Sequence, residues 1–181
     1  MKFPNAELQA TGGEITCSVF ENALTGLKRS LFWSLTLEFA PTDNEDTMTM
    51  TCDWIPWKFR HWKEMDGATL SAKYGHDGIE GSFYVCEHDL METVSLSIHH
   101  VRDHFFKLDM EMVVDYGGSE FSDPEPHMLV RGSAVVPFKG LYVEKEIPFE
   151  EAGEFVDLSA FESTPSLNEY GMPYYKPRLT E

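Results

Sequence analysis

With 181 residues, 42% of them hydrophobic and 13% aromatic, the chain carries enough apolar side chain to close one sizeable core, which excludes global disorder. Its 31 acidic residues against 14 basic ones leave a formal charge of −17, a field that repels nucleic acid and anionic membrane and attracts a basic partner. No run approaches the ~18 apolar residues of a membrane span, and no basic segment followed by an apolar one opens the chain, so a cytoplasmic protein is expected.

Cys17, Cys52 and Cys86 are an odd number without CxxC spacing, and all three fall in segments that alternate like strands. They read as buried free thiols in a reducing compartment and not as a disulfide framework.

Taken in order, residues 1–13 form an approach segment ending at Gly12-Gly13. Glu14 to Phe20 is a short strand with Ile15, Cys17 and Val19 on one face. A longer strand follows a turn at Asn22 to Gly26: Leu31, Trp33, Leu35, Leu37 and Phe39 alternate with Ser34, Thr36 and Glu38. Pro41 to Asp46 is an acidic turn. Its carboxylates (Asp43, Glu45, Asp46) lack the glycine and ligand spacing of a calcium loop and read as a solvated hairpin tip. Thr47 to Trp54 resumes alternation, with Met48, Met50, Cys52 and Trp54 inward, and is expected to pair with the preceding strand.

The stretch from Trp54 to Lys63 holds three of the chain's four tryptophans, with Phe59, Arg60 and His61 among them. Aromatics interleaved with cations can stack bases or line a ligand pocket. The plainer reading is that Pro56 ends an edge strand and Trp57, Phe59 and Trp62 cover the mouth of a β core. As a pocket, the set would be Trp54, Trp57, Phe59, Arg60, His61 and Trp62, with the rings as walls.

Residues 68 to 116 read as a four-stranded antiparallel meander. Its parts are a strand at 68–74, the turn Gly75-His76-Asp77-Gly78, a strand at 79–86 and the hairpin 92–116. The hairpin has the clearest period of two. Val94, Leu96 and Ile98 on one arm, and Phe106, Leu108, Met110, Met112 and Val114 on the other, alternate with polar residues that Val113 alone interrupts. A loop at 117–126 carries Glu120, Asp123 and Glu125. Met128 to Phe138 is a strand bounded by Pro137, and Lys139-Gly140 turns into another from Leu141 to Ile147. Pro148, Glu150 and Glu151 suit the first turn of one short helix within 149–160. The remainder, 163–181, is a Pro- and Tyr-containing irregular tail to a single domain at 1–162. Together these make an all-β, mainly antiparallel fold, a sandwich or barrel of about eight to ten strands.

Chemistry-bearing motifs are few. His99, His100, Asp103 and His104 share one hairpin turn, but neighbouring strand residues point to opposite faces, so a polar tip outweighs a zinc site. There is no GxSxG elbow, phosphate loop or dinucleotide fingerprint. No cofactor or metal is therefore expected, and a non-enzyme is favoured. The composition fits an acidic protein-binding module, in its sharpest form an inhibitor or immunity-type protein that neutralises a cognate partner. Asp43, Glu45, Asp46, Glu120, Asp123 and Glu125 would then steer the partner. The alternative is a small-molecule-binding or catalytic β-barrel with the tryptophan-rich stretch as its mouth.

Overall fold

Period-two alternation along most of the chain leaves each strand with one apolar face, and closing the sheet on itself buries all those faces together. The computed structural model describes residues 10–40, 48–75, 78–85, 87–115, 127–168 and 170–179. Its strands are β1 (Ala10–Asn22), β2 (Leu27–Phe39), β3 (Met48–Ile55), β4 (Thr69–Lys73), β5 (Glu80–Val85), β6 (Glu87–Arg102), β7 (Phe105–Asp115), β8 (His127–Val143), β9 (Ser166–Leu167) and β10 (Pro173–Tyr175). β1, β2, β3, β5, β6, β7 and β8 pair in that order, and β8 returns to β1, so seven strands close a barrel. Every pairing in it is antiparallel except the closing one, β1 with β8, which is parallel.

The closure depends on β8 being one long strand. The expected turn at Lys139-Gly140 is instead a bend within it. Through Pro137 it pairs with β7, and from Phe138 onward it pairs with β1. Gly140 sits at φ 140°, where a Cβ would stand 2.2 Å from the carbonyl oxygen of Tyr175. A residue without a Cβ lets the strand change partners there without ending.

Three more expectations need correcting. Of the expected turn, Gly75 and Gly78 are at positive φ and the Gly75 amide donates to the Ile79 carbonyl, while His76 and Asp77 lie outside the described residues. The strands it joins do not pair with each other. β5 pairs with the first part of β6 (Ser82 opposite Leu90) and β4 with the second (Thr69 opposite Ser97), so both lie end to end along one edge of β6. The meander proper is β5-β6-β7. The tail is also less irregular than expected, since β10 pairs with β8 and β9 with β10, and Tyr175 stacks on Phe149 at 3.8 Å. The segment expected as one short helix is two 3-10 turns, Phe149–Glu154 and Leu158–Ala160.

Trp33, Phe83, Phe106 and Phe138 fill the core at 1% exposure or less. Trp62, on the 3-10 turn Trp62–Met65, packs on Phe106 and Phe138, and its indole N–H donates to the Ala160 carbonyl. Cys17 and Cys52 are buried and free, while Cys86 lies outside the described residues. Burial pushes both thiols up, Cys52 to about 12 with help from the Asp53 charge, so neither is a nucleophile at neutral pH. Among the described residues no helix is long and apolar enough to cross a membrane.

Candidate binding groove

β4, β6, β7 and β8 form a four-stranded stretch of sheet whose inner face supplies core residues and whose outer face is polar. The registers align that outer face into rows running across the strands. One row is Ser71, Ser95, Glu111 and Arg131, and another is Thr69, Ser97, Asp109 and Ser133. Between them runs the row Leu70, Leu96, Met110 and Gly132. Leu96 and Met110 direct their side chains inward, each 3% exposed, so this middle row offers its backbone as a floor. The result is an open groove of about 780 Å³, lined by these three rows. Strand geometry makes it about 14 Å long and about 7 Å between the flanking rows.

The charges in the groove are held in place. Arg131 Nε donates to Glu111 Oε2, and Lys107 lies 3.0 Å from Asp109. For Asp109, partial burial alone would raise the carboxyl. Hydrogen bonds from Ser133 and Lys107, with the nearby charges of Lys107 and His99, outweigh it and hold the group below the usual carboxylate range. Asp109 is thus ionised at neutral pH, with Glu111 and Arg131 paired beside it and five side-chain hydroxyls around them. Such a surface offers donors, acceptors and both signs of charge to an incoming polar chain.

The groove ends at an open edge. Ile98 donates to the Ala68 carbonyl and Tyr74 to the Glu92 carbonyl, which fixes Ala68, Leu70, Ala72 and Tyr74 as the residues whose backbone faces β6. Thr69, Ser71 and Lys73 therefore aim their N–H and C=O groups away from it. Among the described residues no strand pairs on that side. The cause is in β3. Its ladder with β5 ends at Asp53 opposite Glu80, and a straight continuation would run toward β4. At Trp54 the backbone takes φ 60°, a register shift follows, Ile55 pairs back to Trp33 of β2, and Pro56 ends the strand.

That bulge also decides the fate of the tryptophan-rich stretch. Trp54, expected inward, is turned onto the outer face, where it packs between Phe20 at 5.7 Å and Phe32 at 5.2 Å. Ile55 takes the inward place at 0% exposure. Trp57 and Phe59 lie half-buried against Trp33. Trp62 belongs to the core. Arg60 and His61 line a smaller cavity of about 540 Å³ with Glu64 and the 153–159 segment, and none of the four aromatics lines either cavity. Arg60 donates to the Gly153 carbonyl across that space.

At the β6–β7 turn, His99 and His100 are exposed, and His100 Nε2 lies 3.0 Å from the Asp103 carbonyl oxygen. Arg102 stands over the Phe105 ring. Among the described residues no three His, Cys, Asp or Glu side chains are placed to hold a metal. The acidic steering set (Asp43, Glu45, Asp46, Glu120, Asp123 and Glu125) lies outside the described residues. The groove residues carried no motif. The signal that could have found them is the set of serines and charges at alternate positions in 69–73, 95–99, 107–111 and 131–133, once the strands are put in register.

No family model, no curated protein and no solved structure matches this chain.

Proposed function

We propose that this protein is an acidic protein-binding module, in its sharpest form an inhibitor or immunity-type protein that neutralises a basic cognate partner, and that the outer groove of β4-β6-β7-β8 is its contact surface. The observation that carries this reading is the position of the groove. It lies on the outside of the barrel, lined by hydroxyls and ion-paired groups that no core requires, and it runs out at a sheet edge with no strand paired to it among the described residues. The barrel interior, by contrast, is occupied by large aromatic side chains. A net charge of −17 raises the encounter rate with a basic partner and leaves the polar rows to set register and specificity.

Ser95 is exposed on one flanking row of the groove, so Ser95→Tyr obstructs it without touching the core. Affinity capture at low salt should retain a basic protein on the wild-type chain, lose it on Ser95→Tyr and release it as salt is raised. A partner held equally by both proteins would move the contact surface elsewhere. No specific partner at all would overturn the binding module.

A further inference from the structure

We infer that β4 is a docking edge for an extended basic segment of the partner, which adds to the sheet as a further strand beside Thr69, Ser71 and Lys73; this rests on the groove reading and specifies how the partner enters it. Three observations converge. The first is that the backbone groups of these three residues point away from β6 with no strand opposite them among the described residues. An unpaired row of N–H and C=O groups is a template for another chain.

The second is that the edge is kept open at a local cost. β3, the strand positioned to continue alongside, leaves through a non-glycine residue at φ 60° and a proline. A bulky side chain in the left-handed region is a strained conformation that the surrounding packing must hold. Here Phe20 and Phe32 hold it, by clamping the Trp54 ring on the outer face.

The third is continuity with the groove. Thr69 and Ser71 begin the two polar rows, so residues of an added strand facing the same way would extend both rows by one position. Charge selects the occupant. Two copies of a chain carrying −17 repel each other, and an acidic segment meets the same field, whereas a segment with lysine or arginine at alternate positions is drawn in. Lys73, at one end of the edge, discourages indiscriminate pairing.

The test uses the full-length protein at low salt and a short acetylated peptide of alternating threonine and lysine. Binding is read by fluorescence anisotropy and by amide hydrogen exchange. The expected result is saturable binding with slowed exchange at the Thr69, Ser71 and Lys73 amides. Ser71→Pro removes an outward N–H that the ladder with β6 does not use, so the protein should fold and bind the peptide about tenfold more weakly, whereas Ser71→Ala, which keeps that N–H and loses only a groove hydroxyl, should weaken it far less. Peptides N-methylated along one edge give the same reading with wild-type protein, should Ser71→Pro fail to fold. If N-methylation and Ser71→Pro leave affinity intact while Ser95→Tyr weakens it, strand addition is overturned and the groove reading survives. Equal binding of a threonine–glutamate peptide overturns the basic chemistry. Slowed exchange at these amides from self-association alone, seen by sedimentation, makes a second copy the occupant and overturns the proposal. No binding by the lysine peptide overturns it as well.

Discussion

The Phe39 ring of β2 stands where a side chain on residue 132 of β8 would be: a Cβ built on Gly132 would lie 2.6 Å from both Cε1 and Cζ of Phe39. The two strands are not neighbours in the sheet, so the contact crosses the barrel interior and sets how closely its walls approach. Gly132→Ala should destabilise the protein by about 1–3 kcal/mol, the cost of overpacking a filled core. Combining it with Phe39→Leu should recover part of the loss. Thermal melts of the three variants check this, and additive losses would show that the contact does not limit packing.

The hairpin offers a cleaner contrast of faces. Met110 is 3% exposed and Glu111 half-exposed, paired with Arg131. Met110→Asp places an unpaired charge among apolar side chains, at several kcal/mol, and should leave the protein largely unfolded against a typical stability of about 5–15 kcal/mol. Glu111→Lys loses a solvent-screened pair and should cost about 1 kcal/mol or less. Equal shifts in melting temperature would contradict the assignment of faces.

Why the hairpin was legible in the sequence and the site was not is a matter of which interactions decide each. Leu108, Met110 and Met112 announce their face because burial of apolar area is the largest local term, and a strand offers only two faces. Strand order carries no such local signal. That β4 skips β5 for β6, and that β8 passes through Pro137 and Gly140 without stopping, is decided by contacts distant in sequence, such as Gly140 against Tyr175. Trp54 misled because alternation assumes no bulge. The groove stayed hidden because Ser95, Glu111 and Arg131, more than 30 positions apart at the extremes, meet only through register.

Asp53 should be a stability liability at neutral pH. Burial pushes its carboxyl above the ordinary range, the Glu80 charge adds to this, and the hydrogen bond from Ser34 only partly opposes it. A carboxyl raised in the folded state binds protons more readily there than in the unfolded chain, so its contribution to stability falls as pH rises from about 3.9 through the folded value. Asp53→Asn keeps an acceptor for Ser34 and removes the charge. It should raise stability by about 1 kcal/mol at pH 7, about 2–4 °C in melting temperature for a domain of this size. The gain should vanish below pH 4, and a gain independent of pH would point to a cause other than the charge.

His104 should act in the opposite sense. Its imidazole is lowered from the usual value by burial first and by the Lys139 charge next, against the opposing pull of Asp103, and among the described residues its buried Nδ1 has no hydrogen-bond partner. A base whose folded value is depressed resists protonation in the folded state. The unfolded chain therefore takes up the proton first as pH falls through about 6.5. Stability linked to His104 is fully present above that pH and is lost below it, through the window between the unfolded and folded values. His104→Gln, which cannot titrate, should flatten the fall in melting temperature between pH 7 and pH 5 relative to the wild type. If His104→Gln and the wild type lost stability in parallel across that range, titration of His104 would not be the cause.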